Sequence, residues 1–138
     1  MADIKCVLWN CSGILAGGSS GEKVDLLFSS INSGFDVLAL VETHHVDIND
    51  IHSSFHTFRN SYHLLHTGAD DGDPYAGIIV LVNKSLRVSG ERVGMPGRVL
   101  NFKIGGRGED YNVSVVYGFT GANATQSKVR GMVELIMS

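Results

Sequence analysis

What the chain lacks narrows its class first. No apolar run approaches the ~20 residues that a membrane helix requires, so no helical span is expected. The first residues, Met1-Ala-Asp-Ile-Lys-Cys-Val-Leu8, have neither the basic start nor the long apolar core of a signal peptide. An intracellular protein, nuclear or cytoplasmic, is the resulting expectation. Cysteine is scarce, with only Cys6 and Cys11 in 138 residues. A reducing compartment disfavours a disulfide between them. Positive charge is not in excess either. The net charge is −3, whereas a surface devoted to nucleic-acid phosphates normally carries a basic surplus. A local basic patch stays compatible with that total.

What is present describes an ordinary globular protein, 43% hydrophobic and 18% charged. The length suits a single domain spanning 1–138 with a real core and no room for a second. The 17 glycines fall mostly between apolar runs and mark turns.

The stretch Asp36-Val-Leu-Ala-Leu-Val-Glu42-Thr-His44-His45 organises the rest. Its short apolar run, bounded by Gly34 and by polar residues, reads as a strand covered on both faces. It stops on a carboxylate. A Glu at the end of a buried strand costs free energy unless a cation or hydrogen bonds satisfy it. Ligands also tend to sit at the C-terminal ends of strands in layered α/β folds.

An earlier strand, Ile4 to Asn10, also ends on a polar residue. Between the two, Val24, Leu27, Phe28 and Ile31 share one helical face, with Ser19 or Ser20 as N-cap and Gly34 as C-cap. Strand, helix and strand at this spacing form a βαβ unit with parallel neighbouring strands. Asn10 and Glu42 are then expected side by side on one edge.

Further on, Ile48, Ile51, Phe55 and Phe58 predict a second helix, and Ser61 to His66 an edge strand. Ala76 to Asn83 is a strong strand. Arg98 to Ile104 and Tyr111 to Tyr117 alternate around the hairpin turn Gly105-Gly-Arg-Gly-Glu-Asp110. Val129, Met132, Val133 and Ile136 return to helical spacing. The expected fold class is α/β (α+β): one mixed sheet with helices on one face. Nothing in that reading covers the sheet's other apolar face, and a large exposed apolar face is rare in a soluble monomer. A homodimer or a partner chain is one expected remedy.

Several constellations compete for function. Glu42, with the Asn10 oxygen nearby, could form part of a Mg²⁺ site, since Mg²⁺ takes oxygen ligands and few carboxylates. The bland alternative is a Glu accepting backbone hydrogen bonds. Gly17-Gly-Ser-Ser-Gly-Glu-Lys23 lacks the Gly-Lys-Ser/Thr order of a phosphate loop, so a turn is the better reading. His52 and His56 have metal-capable i, i+4 spacing, but Ser53 stands where a zinc protease has Glu. His44 and His45 lie on the edge of interest, where one could contact a substrate phosphate. Tyr117 closes a strand that could reach the same edge, and a phenol there could donate to a phosphate oxygen.

The residues Leu8-Trp9-Asn10-Cys-Ser-Gly13, Asp36-Val-Leu-Ala-Leu-Val-Glu42-Thr-His44, Tyr75-Ala-Gly77-Ile-Ile-Val-Leu, Gly97-Arg98-Val99 and Val115-Val-Tyr117 occur in the order and spacing of one superfamily. Together they resemble the endonuclease/exonuclease/phosphatase superfamily, and especially the apurinic-endonuclease-like domain of non-LTR retrotransposons. The resemblance implies the N-terminal half of a two-sheet α/β sandwich and Mg²⁺-dependent phosphodiester cleavage, with DNA as substrate. It assigns Glu42 to the metal, Asn10 and Tyr117 to the active site, and His44 and Arg98 to substrate binding. The departures are Gly118-Phe119-Thr120 where the family has Pro-Asn after the Tyr, and Ser12 where many members have Asp or Asn. No Gly-Asp-Phe/Leu-Asn or Ser-Asp-His motif occurs in the chain. A truncated domain, inactive or nearly so by itself, is the expectation. The alternatives are a non-catalytic binding or dimerisation module and a histidine-based metal-binding module.

Overall fold

The computed structural model describes residues 4–11, 13, 34–47, 61–70, 72–106, 108–118 and, for the backbone alone, 132–137. These residues form eight strands: β1 (Cys6–Asn10), β2 (Val37–Val41), β3 (Tyr62–Thr67), β4 (Ile78–Asn83), β5 (Arg87–Met95), β6 (Val99–Gly105), β7 (Tyr111–Val116) and β8 (Met132–Met137). They make two four-stranded sheets, ordered β1-β2-β4-β3 and β5-β6-β7-β8.

The first sheet is mixed. β1 and β2 pair in parallel, with Asn10 opposite Val41, while β4 pairs antiparallel with both β2 and β3. The parallel pair expected from the spacing is therefore present, and Asn10 stands one step before Glu42 on the shared edge. β2 is buried along its whole length, as is β4 up to Val82. Alternation divides their side chains between two faces. Val37, Ala39, Val41, Ile78, Val80 and Val82 belong to one core cluster; Leu38, Leu40, Ile79 and Leu81 belong to another.

The second sheet is a meander. Leu100, Phe102 and Ile104 of β6 and Val113 and Val115 of β7 are buried in the same cluster as the valines of the first sheet. Lys103, between them, is exposed. The alternation read in these two strands is the pattern of a sheet with one buried face.

The expected fold class needs correction. Among the described residues there is no helix, and the strands form two sheets rather than one mixed sheet with helices on one face. The layer that the sequence reading could not find is β6 and β7, which cover the inner face of the first sheet. The predicted last helix is overturned directly. Met132–Met137 is β8, paired antiparallel to β7 with Val115 opposite Val133 and Val113 opposite Leu135. A six-residue apolar run cannot be divided between helix and strand by periodicity alone. Here the open edge of β7 decides it, since backbone N–H and C=O groups find partners there. The predicted helices around Val24–Ile31 and Ile48–Phe58 lie outside the described residues, as do the Gly17–Lys23 turn, Ser12, His52 and His56.

β5 was not anticipated. Nearly all of its nine residues are exposed, and its pairing with β6 slips twice, between Ser89 and Arg92 and between Val93 and Met95. Gly90 and Gly94 break any period that Val88 and Val93 could show. No helix among the described residues is long and apolar enough to cross a membrane. Cys6 and Cys11 are both free thiols.

Candidate functional site

The site is built where the ends of the two sheets meet. After Val41 the chain leaves β2 through Glu42 and His44, both in the left-handed region with φ of 57° and 62°. Non-glycine residues there carry steric strain, and such strain persists only where the surroundings over-determine the backbone. They do so here. The Glu42 carbonyl accepts the Gly13 N–H at 2.7 Å. The Thr43 N–H donates to the Gly77 carbonyl at 3.2 Å and the His44 N–H to the Ala76 carbonyl at 2.9 Å.

Gly77 makes this approach possible. It has a φ of 119°, and a Cβ on it would collide with the Thr43 hydroxyl. Gly97 does the same for the second sheet: a Cβ there would lie 2.7 Å from Ala76 Cβ. Its carbonyl accepts the Gly77 N–H at 3.0 Å, and its own N–H donates to Thr67 Oγ1 at 2.9 Å. The turn before β6 is thereby tied to the start of β4.

Tyr117 follows β7 and is buried. Its N–H donates to the Arg98 carbonyl at 2.7 Å. The phenol faces Glu42. Burial pushes the phenol above its ordinary range, and so does the Glu42 carboxylate, through its charge and through the hydrogen bond it takes from the neutral phenol. The Arg98 charge pulls the other way. At neutral pH the group is therefore a protonated donor.

Arg98 lies under the ring, with its guanidinium carbon 4.4 Å from the Tyr117 centroid. Nε and Nη2 donate to the two oxygens of Asp73 at 2.6 and 2.9 Å, in a bidentate pair. Nη1 donates to the Gly118 carbonyl at 2.8 Å and to the Tyr117 carbonyl at 3.3 Å. The hydrogen bond to Asp73 is the main reason the Arg98 pKa is raised further. The side chains are 10% and 25% exposed. Removing one partner of a buried ion pair typically costs about 3–5 kcal/mol.

His44 Nε2 lies 3.6 Å from Glu42 Oε1, beyond hydrogen-bond range. That nitrogen is buried and has no hydrogen-bond partner among the described residues. The ring meets the exposed Tyr75 edge-on, with centroids 5.2 Å apart. His45 is fully buried and points elsewhere, to the Thr43 hydroxyl through Nδ1 and to His66 Nδ1 through Nε2 at 3.2 Å.

The structure thus gathers Glu42, Tyr117, Arg98 and His44, with Asn10 at the adjacent strand end. Sequence reasoning missed Asp73 and the Thr43–His45–His66 chain. Nothing local marks Asp73 as the partner of Arg98, which lies 25 positions away.

Among the described residues, no three His, Cys, Asp or Glu side chains converge. A zinc site needs three or four protein ligands, so this set does not suit zinc. One carboxylate at a polar strand edge does fit Mg²⁺, which keeps several waters and takes one or two carboxylates plus substrate phosphate.

Two sheets packed face to face, with polar groups at one end, define the fold class. Neither a family model nor a curated protein matches the sequence. Among solved structures, the chain is similar to selenomethionine TDP2 from Caenorhabditis elegans, with a TM-score of 0.63 and 18% sequence identity. The match covers 88% of this chain and 37% of that one, so the chain spans little more than a third of the TDP2 length. The likeness is one of fold.

Proposed function

We propose that this chain carries the phosphate-facing edge of a Mg²⁺-dependent phosphodiesterase. The observation that carries the reading is the meeting of Glu42, from the end of β2, with the protonated Tyr117 phenol, from the end of β7. The fold shared with TDP2 supports it. The motif resemblance to retroelement endonucleases points to DNA as the phosphodiester.

In this reading Glu42 holds the cation. Bound there, Mg²⁺ supplies Lewis-acid polarisation of a phosphoryl oxygen and steadies the leaving oxygen. With the cation on Glu42, Tyr117 would turn its single phenolic proton from that carboxylate to a phosphate oxygen. His44 Nε2, without a hydrogen-bond partner among the described residues, is a second donor for the same group when it carries a proton. Asn10 offers an amide at the neighbouring strand end. The residues that orient the attacking water in the superfamily have no counterpart motif in these 138 residues. The chain alone is therefore expected to bind a divalent ion weakly and to cleave little or nothing.

Mn²⁺ binding followed by electron paramagnetic resonance tests the metal edge. Wild type should bind Mn²⁺ and Glu42→Gln should not; equal binding by both sinks the assignment. Nicking of supercoiled DNA in Mg²⁺ tests the incompleteness. Robust nicking that disappears in Glu42→Ala would show that the catalytic set is complete in this chain.

A further inference from the structure

We infer that Arg98 and Asp73 form a clamp whose task is to aim Tyr117, making Arg98 a positioning residue rather than a direct phosphate contact. The inference rests on the proposed phosphate edge for its purpose, but its geometry stands by itself. The guanidinium donates to Asp73, to the Tyr117 carbonyl and to the Gly118 carbonyl, and its central carbon lies over the Tyr117 ring, 4.4 Å from the centroid. A planar fork engaged in this way has its donors turned to Asp73 and the two carbonyls while its carbon sits over the ring. The same residue's carbonyl takes the Tyr117 N–H at 2.7 Å. One side chain therefore fixes the aromatic plane while its own backbone fixes the start of the tyrosine.

Asp73 acts one step further away. It sits in the loop before β4, and its two oxygens set the rotation of the guanidinium about its stem. Tyr117 lies one residue past β7, and beyond its backbone bond to Arg98 and the phenol's bond to Glu42, the clamp is what holds the ring. A lysine at position 98 would keep the charge but could offer neither the bidentate pair nor the flat stacking surface. This separates aiming from simple charge provision.

The experiment uses the 138-residue chain with ¹³C-labelled tyrosine rings, the Tyr117 signals being identified by their loss in Tyr117→Phe. In Arg98→Lys and in Asp73→Asn, the Tyr117 ring resonances should shift toward the values of a freely rotating tyrosine. Those of Tyr62 and Tyr111 should stay in place. A purely structural role would move all rings together or none while lowering the melting temperature. Unmoved Tyr117 signals in a folded Arg98→Lys or Asp73→Asn overturn the clamp. Mn²⁺ binding in the same samples keeps the two readings apart. A displaced Tyr117 ring in a protein whose wild type binds no Mn²⁺ leaves the clamp standing and removes the metal edge.

Discussion

The two sheets reach the same site by different means. In the first, β2 is buried from end to end, and the chain leaves it through two non-glycine residues held at positive φ. In the second, β5 lies open to solvent, and each described positive-φ position, at Gly90, Gly97, Gly106 and Gly108, is a glycine. A glycine adopts that conformation without a Cβ clash. The first sheet thus accepts strain in exchange for keeping a carboxylate and an imidazole at its end. The second relieves strain wherever its chain turns and contributes a tyrosine held by an ion pair. Strain is tolerated where a rigid, doubly covered strand holds the backbone in place.

The largest effect that could break this contrast lies in the cores. Leu81→Ala, on a β4 with two buried faces, should destabilise by about 2–5 kcal/mol, as leucine truncations in packed cores do. Val93→Ala on β5, whose side chain is 45% exposed, should change stability by no more than about 0.5 kcal/mol. Urea unfolding monitored by circular dichroism measures both. Comparable losses would mean that the second sheet is as deeply supported as the first.

A smaller effect sharpens the strain argument. Glu42→Gly should stabilise the chain by about 1 kcal/mol, because the left-handed cost is removed. The same variant should lose Mn²⁺ binding. A destabilised Glu42→Gly would show that the carboxylate's contacts outweigh the backbone strain.

The smallest effect is in pH. Burial, with a lesser contribution from Asp36, raises the Cys6 thiol above its ordinary 9.0, and burial with Glu42 raises the Tyr117 phenol above its ordinary 10.0. Each group holds its proton more tightly folded than unfolded. The stability each contributes is whole below its ordinary value and is lost as pH climbs through the raised one. The urea midpoint of wild type should therefore fall above about pH 9. Cys6→Ser should delay the onset and Tyr117→Phe should flatten the later part. Parallel curves for all three proteins would remove both groups from the alkaline limb.

The legible parts of the fold are those where burial imposes a period. β2 and β4 read as continuous apolar runs, β6 and β7 as alternations, and the parallel pairing of β1 with β2 followed from spacing. β5 was invisible because bulges and glycines erase its alternation. β8 was read as a helix because its six residues suit either period, and the deciding factor, the free edge of β7, is a tertiary fact. At the site, Glu42 and Tyr117 stood out as polar groups ending apolar strands. The Asp73–Arg98 pair did not, since an ion pair across 25 positions leaves no local trace. Nor did the contact of His45 with His66, since the sequence places one at the site edge and the other at the end of an edge strand, and only the fold brings their rings together.

The order β1-β2-β4-β3 also bears on how the site comes into being. β6 and β7 are separated by only five residues and can pair as soon as they are made. β2 must wait for β4, which arrives only after the whole segment from Glu42 to Gly77 has been looped out. Closing so long a loop costs entropy before any contact rewards it, and such pairings slow folding. The carbonyls of Ala76 and Gly77 that pin Thr43 and His44 come with β4. The bend that presents Glu42 is therefore assembled late, after the hairpin of the second sheet, and so is the Asp73–Arg98 pair that holds Tyr117.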